Sequence, residues 1–329
     1  MKIAVDASGG DYAPQEIVKG AVQAARENNL ELVLLGDREA IDALLAQEGR
    51  VAGIEVVDAS QAITCHEHPV QAVRGKPDSS IVKGIRLVKD GAASAFVSAG
   101  NTGAVLAASY LYLKNIEGIE RPALGVVIPV SAGGPFLLID GGANADCRPG
   151  YLLQFARLGN VFARLHLGVP SPRIGLLNNG EEEVKGSSLT IEAHKLLKES
   201  GLNFIGNIEG QDILKGRIDV LVTDGFTGNV LLKSLEGFGD FIKGMIGSAL
   251  PAGVAPENMT TSGNGGLGSM LRRMDFSEYG GSCLLGVNGN VIVSHGRSRA
   301  KAMKNAVRFA GQAAGSGMVD AIRRELSII

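Results

Sequence analysis

Two polar segments of the chain carry side chains that can stabilise negative charge without a metal ion or a bound cofactor. Lys185 lies in the segment 178–187, after an apolar run, and is followed by Gly186 rather than embedded in a charged helix. Asn229 and Thr227 fall at the start of a predicted helix, where amide and hydroxyl groups can join backbone N–H donors around an oxyanion. The two segments therefore indicate a site that binds an anion or polarises a carbonyl group.

Both segments also have a simpler interpretation. Lys185 follows the three glutamates 181–183 and is then a solvated lysine on a charged loop. Thr227 and its neighbours are then ordinary caps of the helix that follows. The sequence leaves both alternatives open.

Glycine-rich turns recur along the chain where apolar, β-branched runs end. Six of them mix glycine with Asp, Asn, Ser or Thr, at residues 7–11, 98–103, 140–144, 178–180, 224–229 and 295–298. Backbone N–H groups at a helix start favour an anion, and glycine lets the backbone approach a ligand closely. Each turn could serve only to reverse the chain, but together they predict one site at the carboxyl ends of parallel strands.

The apolar periodicity predicts alternating strands and helices. Predicted strands cover 3–5, 31–35, 54–57, 94–98, 123–129, 135–140, 173–177, 203–206 and 219–223. Predicted helices cover 14–28, 38–47, 79–89, 102–113, 149–167 and 298–326, and two more begin near 190 and 228, while 286–293 resembles a hairpin. The alternation predicts an α/β protein with a mostly parallel sheet and helices on both faces, with some antiparallel pairing near 123 and 135.

Composition excludes several classes of protein. The 329 residues include 32 Lys and Arg against 34 Asp and Glu, so no global field favours nucleic acid. The N-terminus reaches Asp6 before a signal-length apolar run forms, and we expect a cytoplasmic protein. Cys65, Cys147 and Cys283 are far apart and without paired metal spacing, which fits a reducing compartment.

Two short patterns could mislead. Residues 263–268 match G-x-G-x-x-G, but no predicted strand precedes them and no acidic residue follows at the usual distance, so we interpret them as a connection between helices. Residues 65–68, Cys-His-Glu-His, have no second ligand cluster, so a surface turn is favoured over a metal site. His166 and His194 fall within predicted helices and are expected to be structural. His295 opens a turn, where a capping or packing role and a contact with substrate remain alternatives.

The turns belong to longer motifs that follow one another over nearly the whole chain. They are 9–11 with 13–14, 98–104, 140–144, 185–186, 207–210, 224–229, 280–281 with 284–286, and 295–296. In this order they resemble the PlsX family, the bacterial phosphate acyltransferases of phospholipid synthesis.

The resemblance implies a function, a fold and partners. The implied reaction transfers a fatty acyl group from acyl carrier protein to inorganic phosphate, without a cofactor, and gives the acyl phosphate used by a downstream membrane acyltransferase that acylates glycerol 3-phosphate. The implied fold is one domain over 1–329, a three-layer α/β/α structure related to phosphotransacetylases and isopropylmalate dehydrogenases, with a helical extension near 230–275. The implied assembly is a homodimer.

The resemblance also implies roles for individual residues. Lys185 and Asn229 match the expected catalytic pair, with Lys185 steadying phosphate or developing charge and Asn229 polarising the thioester carbonyl. The turns supply the expected substrate-binding residues, which are Gly9, Gly10, Asp11, Ser98, Asn101, Thr102, Gly103, Asp140, Asn144, Asp224, Thr227 and His295. Phosphate is itself a nucleophile, so the reaction needs no Ser, Cys or His nucleophile.

Two surfaces are candidates for partners. Basic residues at 272–273 and at Arg297, Arg299, Lys301 and Lys304 could steer an acidic carrier, or could form a solvated face. Apolar residues at 241–250 could form a weak peripheral membrane contact, although a buried helix or dimer face is the alternative, since 251–271 is poor in lysine.

Two other functions remain as rivals. A nicotinamide-dependent dehydrogenase would need a working dinucleotide fingerprint, and the only match lies in the wrong context. A non-catalytic acyl-binding protein would need the same apolar groove, but Lys185 and Asn229 would not lie at one centre.

Overall fold

The computed structural model describes residues 1–49, 51–130, 134–249 and 280–327. The chain forms two compact units, the first from Met1–Leu124 with Tyr279–Ile329 and the second from Gly125–Glu278. The expectation of one domain over 1–329 stays a prediction. The later part of the predicted extension at 230–275 and the pattern at 263–268 lie outside the described residues.

Strands and helices alternate as the periodicity predicts. The strands are β1 (Lys2–Asp6), β2 (Glu31–Gly36), β3 (Ile54–Asp58), β4 (Ala95–Ser98), β5 (Ala123–Ile128), β6 (Phe136–Ile139), β7 (Ile174–Asn178), β8 (Phe204–Glu209), β9 (Val220–Val222), β10 (Ser282–Leu285) and β11 (Asn290–Val293). The helices are α1 (Gln15–Asn28), α2 (Arg38–Glu48), α3 (Pro69–Gly75), α4 (Ser80–Lys89), α5 (Thr102–Ala108), α6 (Pro149–Phe162), α7 (Ser188–Lys198), α8 (Gly225–Ala249), α9 (Ala300–Gly315) and α10 (Met318–Ser327).

The first unit contains strands in the order β3-β2-β1-β4-β11-β10, in which every neighbouring pair is parallel except the β10–β11 hairpin. The chain moves outward from β1 to β3 and then returns to the other side of β1 with β4. In open α/β sheets this reversal leaves a crevice at the carboxyl ends of the two central strands. The fold thus places the turns after β1 and β4 side by side.

Close helix packing supports this sheet. Helix α1 buries one face, including Ile17, Val18 and Val22. Gly20 lies on that face against α9, because a Cβ atom there would come within 2.5 Å of the Ala300 carbonyl oxygen. The absence of a side chain at Gly20 allows the two backbones to approach each other.

The second unit contains strands in the order β5-β6-β9-β7-β8, in which β5 and β6 are antiparallel and the other neighbours are parallel. Its core joins Phe136 and Leu138 of β6 to Leu221 of β9, and side chains of α8 pack against it. Since β6, β9 and β7 are parallel neighbours, the loops that follow them leave from the same edge. The mostly parallel sheets with flanking helices confirm the predicted α/β fold class.

Helices α5 and α6 continue as π-helical turns to Leu113 and Leu167, so the predicted ranges 102–113 and 149–167 are helical. Three other elements differ from the sequence-based expectation. Helix α3 forms within the polar segment 61–76, with Pro69 in its first turn. The closing helix is broken between α9 and α10, where Gly317 has a φ of +66°. The hairpin begins at Ser282, because Cys283 and Leu284 are paired with β11.

Candidate active site

In the first unit, a buried carboxylate joins the turns after β1 and β4. The Ser98 hydroxyl donates to Asp6 Oδ2 at 2.6 Å, and the Ser8 amide donates to Asp6 Oδ1 at 3.1 Å. Ser98 Oγ in turn accepts from the Gly100 amide at 3.0 Å. Burial raises the pKa of Asp6, and hydrogen bonds from Ser80 and Ser98 to its carboxylate offset part of that effect. The predicted site residue Ser98 is therefore bound to a buried acid.

Glycine allows three loops to meet at this edge of the first unit. A Cβ atom on Gly9 would lie 2.8 Å from the Gly100 backbone, and one on Gly10 would lie 3.3 Å from the Gly296 carbonyl oxygen. The Asp11 amide donates to the same Gly296 oxygen at 2.8 Å. The loops after β1, β4 and β11 are thus brought together, as predicted for the turns at 7–11, 98–103 and 295–298.

The side chain of Asn101 is occupied by the protein itself. Its Oδ1 accepts from the Ala104 amide at 3.0 Å and caps α5, and its Nδ2 donates to the Thr64 carbonyl at 3.0 Å. Gly103 packs under Pro69, with a Cβ position 2.6 Å from the proline ring. Asn101 thereby fastens the segment 64–69 to the start of α5, while Thr102 is exposed. A direct contact of Asn101 with substrate stays a prediction.

The second unit has its own buried carboxylate, at the end of β6. Asp140 Oδ1 accepts from the amides of Gly142 and Ala143 at 3.1 and 2.9 Å. Asp140 Oδ2 accepts from the Asn144 amide at 2.7 Å and from Asn144 Nδ2 at 2.8 Å. These four bonds fold residues 140–144 into a tight loop, which we call the Asp140 loop.

Helix α8 begins directly against the Asp140 loop. The Gly225 amide donates to the Asn144 carbonyl at 2.7 Å. Asp224 caps the helix, accepting from the Thr227 amide at 2.9 Å and from the Thr227 hydroxyl at 2.8 Å. The capping interpretation of Asp224 and Thr227 therefore describes this structure, and a substrate contact by either side chain stays a prediction.

Asn229 lies in the second turn of α8 and is half-buried. Its Nδ2 donates to the Gly141 carbonyl at 3.3 Å. Within the described parts of the chain, its Oδ1 and the second hydrogen of its amide have no hydrogen-bond partner. The side chain is thus fixed at one end and can offer an N–H donor, as the predicted catalytic role requires.

Lys185 is exposed on the loop after β7, and its backbone is held on two sides. Its amide donates to the Glu182 carbonyl at 3.0 Å, and its carbonyl accepts from Asn178 Nδ2 at 3.0 Å. Among the described residues the Lys185 ammonium forms no ion pair with the adjacent glutamates. Glu183 instead binds Lys198 at 2.6 Å.

Two side chains that sequence reasoning did not assign to the site support this loop. Asn207 Nδ2 donates to the Glu182 carbonyl at 2.9 Å, and Asn207 Oδ1 lies 2.9 Å from the ring of buried His194. His194 is structural, as predicted. In the sequence, only the position of Asn207 in the motif 207–210 indicates a role for it, because its hydrogen-bond partners are far away along the chain.

The remaining candidates lie at the surface or beside the site. His295 is exposed, and its Nδ1 accepts from the Arg297 amide at 3.1 Å. Cys147 Sγ lies 3.5 Å from the Asn144 carbonyl, and burial raises the pKa of its thiol to about 11. Glu67 binds Lys76 and the Thr64 amide, so it belongs to a surface turn.

The basic and apolar surfaces are only partly described. Lys304 pairs with Glu27 at 3.0 Å, and the Arg299 guanidinium lies 4.3 Å from the Tyr12 ring centroid. Arg297 is exposed, whereas residues 272–273 lie outside the described residues. Phe241 and Met245 of α8 are exposed. Along the described ranges, none of the helices has the length and apolarity needed to span a bilayer.

Solved structures with the same fold include acyl-transferring enzymes. The EutD phosphotransacetylase from Staphylococcus aureus matches with a TM-score of 0.63 at 15% identity, covering 95% of this chain and 94% of that one. A phosphotransacetylase from Streptococcus pyogenes matches with a TM-score of 0.62 at 20% identity, covering 96% and 94%. A 4-hydroxythreonine-4-phosphate dehydrogenase from Klebsiella pneumoniae matches with a TM-score of 0.53 at 14% identity, covering 95% and 99%. At these identities the likeness concerns the fold.

Sequence relatives are closer. The family model described as "Fatty acid synthesis protein" matches residues 1–321. The phosphate acyltransferase of Dehalococcoides mccartyi is 53% identical over 328 residues, covering 99% of this chain and 94% of the relative. That of Pelotomaculum thermopropionicum is 46% identical over 329 residues, covering 100% and 96%. The chain therefore belongs to the PlsX family of phosphate acyltransferases.

Proposed function

We propose that this protein transfers a fatty acyl group from acyl carrier protein to inorganic phosphate and releases acyl phosphate. A phosphate oxygen attacks the thioester carbonyl carbon, the C–O bond forms, and the C–S bond breaks. The carrier leaves as a thiolate that takes up a proton from the solvent. The acyl phosphate then serves a membrane acyltransferase that acylates glycerol 3-phosphate.

Lys185 and Asn229 stabilise different negative charges in this reaction. The Lys185 ammonium attracts phosphate and balances the charge that develops during attack, and its lack of an ion pair within the described chain leaves it available. The Asn229 amide donates to the carbonyl oxygen as that oxygen becomes negative, an interaction that is stronger in the transition state than in the ground state. No nucleophilic side chain is needed, because phosphate supplies the nucleophile.

Within the second unit, the proposed site residues follow three neighbouring parallel strands. The Asp140 loop follows β6, helix α8 with Asn229 follows β9, and the loop with Lys185 follows β7. These three strands are parallel neighbours in the order β6-β9-β7. Their carboxyl ends face the same edge, where ligands bind in open α/β sheets. The arrangement supports a common centre for the cation and the amide donor.

The remaining parts of the proposal concern partners and location. We expect a cytoplasmic homodimer that receives its substrate from an acidic carrier. The predicted binding of phosphate by backbone donors in the turns near Gly9, Asn101 and Asn144 stays a prediction. Exposed Phe241 and Met245 on α8 are proposed to allow weak peripheral contact with the membrane that takes up the product.

A trapping assay tests the proposed reaction. The purified protein is mixed with acyl carrier protein carrying palmitate and with inorganic phosphate, and hydroxylamine converts acyl phosphate to a hydroxamate. We expect hydroxamate formation above the direct reaction of the thioester with hydroxylamine, and this excess should depend on phosphate and survive a metal chelator. Thioester loss at the same rate without phosphate would indicate hydrolysis and contradict the proposal.

A further inference from the structure

We propose that Asp140 is a positioning residue whose carboxylate orients the amide of Asn229, and that the Asp140 loop is the device through which it acts. The inference rests on the proposed function for its catalytic consequence. Its structural content, which concerns the orientation of one side chain, can be tested separately.

The hydrogen bonds of Asp140 assign it to the protein rather than to a ligand. Its two carboxylate oxygens accept four N–H bonds of 2.7 to 3.1 Å, all from residues 142–144. The side chain is fully buried. A buried negative charge saturated by neighbouring donors has little capacity for a further contact, and it would repel phosphate placed beside it.

The folded loop brings two backbone groups against Asn229. The Gly141 carbonyl accepts from Asn229 Nδ2 at 3.3 Å. Gly142 has a φ of +135°, and a Cβ atom there would lie 2.8 Å from the same Nδ2 atom. Only glycine fits this position without moving the amide.

The first turn of α8 packs closely against the backbone of the Asp140 loop. A Cβ atom on Gly228 would lie 1.9 Å from the Asp140 carbonyl oxygen, and one on Gly225 would lie 2.6 Å from the Asn144 carbonyl oxygen. Helix α8 therefore rests directly on the backbone of the Asp140 loop. A change in the shape of the loop must therefore displace the start of the helix that carries Asn229.

The Gly141 carbonyl determines which end of the Asn229 amide faces the substrate. A carbonyl accepts a hydrogen bond, so it holds Nδ2 and disfavours the flipped rotamer, in which Oδ1 would face another oxygen. In the held orientation the second hydrogen on Nδ2 remains for a substrate carbonyl. Once Asp140 no longer folds the loop, the amide can present its oxygen, which has the wrong polarity for the reaction.

A double-mutant cycle tests the coupling between the two residues. Asp140→Asn should lower kcat by on the order of 10²-fold, the scale of losing one oxyanion donor, and leave the KM values within about threefold. In an Asn229→Ala background the same change should lower kcat by less than about threefold, because the amide it orients is already absent. A full multiplicative loss in that background would overturn the inference.

A pair of glycine variants guards against a general folding defect. Gly142→Ala introduces both backbone strain and contact with the Asn229 amide. Gly206→Ala, in the same unit, introduces strain at a φ of +103° but meets nothing within 4 Å. We expect Gly142→Ala to lose activity by on the order of 10²-fold and Gly206→Ala to stay within about threefold of the wild type. Equal losses in the two variants would contradict the inference.

A spectroscopic readout separates this inference from the proposed reaction. In protein labelled with ¹⁵N-asparagine, the Asn229 side-chain resonance is assigned by its disappearance in Asn229→Ala. We expect Asp140→Asn and Gly142→Ala to shift or broaden it, and Gly206→Ala to leave it in place. An unchanged resonance in Gly142→Ala would contradict the positioning role even if the enzyme is active. An inactive wild type would contradict the proposed function alone.

Discussion

The Ser98 hydroxyl donates to the Asp6 carboxylate at 2.6 Å, and both side chains are fully buried. This bond joins the ends of β1 and β4 at the reversal of strand order in the first unit. Among the described residues, no Lys, Arg or His forms an ion pair with Asp6. Neutral donors therefore carry the stabilisation of this buried acid.

Removing that donor should destabilise the first unit. Ser98→Ala leaves a buried carboxylate short of one hydrogen bond, and we expect a loss of about 1–3 kcal/mol in the free energy of unfolding by urea. Ser109→Ala is the matched control, because the buried Ser109 Oγ has no partner in the described structure. Its substitution should cost little. Similar losses in both variants would show that the Asp6 bond contributes nothing specific.

The effect of Ser98→Ala should also depend on pH. Burial raises the pKa of Asp6 in the folded protein. The contribution of Asp6 to the free energy of unfolding is therefore fully present below its unfolded pKa, near 3.8, and is lost as pH rises through its folded pKa. Ser98 donates to the ionised carboxylate and limits this loss. The destabilisation should therefore increase from about pH 4 upward as Asp6 ionises in the folded protein. A cost that is independent of pH would contradict the role of Ser98 as a donor to ionised Asp6.

The sequence predicts the strands and the turns that follow them, because both are marked by residues close together along the chain. Strands β1, β4 and β9 are apolar runs ended by polar or glycine-rich turns, and short-range periodicity is enough to find them. Long-range partners are not visible in the same way. Nothing near Asn101 indicates its bond to the Thr64 carbonyl, and nothing near Asn229 indicates its bond to the Gly141 carbonyl.

Other features of the structure are weakly marked in the sequence. Helix α3 lies in a polar segment whose charged residues obscure a short apolar face. The break before α10 depends on one residue, Gly317, within an otherwise helical pattern. The roles of Lys185 and Asn229 came from their positions in turns and from family resemblance, whereas the supporting contacts of Asn207 and Gly141 required three dimensions.

Close packing at the start of α8 gives a stability prediction. Gly228→Ala would place a methyl group 1.9 Å from the Asp140 carbonyl oxygen, and we expect a loss of about 1–3 kcal/mol in thermal or urea unfolding. Gly237→Ala in the same helix meets nothing within 4 Å and should be neutral or stabilising by up to about 1 kcal/mol. Equal behaviour of the two variants would mean that α8 does not rest on the Asp140 loop.

Lys185 provides a direct test of the cation. Lys185→Ala should slow acyl transfer by on the order of 10²-fold and leave the unfolding free energy unchanged, because the side chain is exposed and forms no described ion pair. Lys198→Ala, which removes the partner of Glu183, is the control and should retain activity. Near-normal turnover of Lys185→Ala would support the alternative of a solvated loop lysine.

Arg297 tests the approach of the acidic carrier. Its charge is exposed, whereas Lys304 is paired with Glu27 and Arg299 stacks on Tyr12. Arg297→Glu should raise the KM for acyl carrier protein several-fold, leave the KM for phosphate unchanged, and reduce the salt dependence of the rate. A carrier KM equal to that of the wild type would place docking elsewhere.

The attack of phosphate on the thioester can be followed through the oxygen atoms of phosphate. The enzyme is supplied with acyl carrier protein thioester and phosphate fully labelled with ¹⁸O, and the intact acyl phosphate is measured by mass spectrometry. If a phosphate oxygen attacks the thioester, the product retains every heavy oxygen, including the one that bridges carbon and phosphorus. A product that lacks one heavy oxygen, or unlabelled free fatty acid as the only product, would contradict attack by phosphate on the thioester.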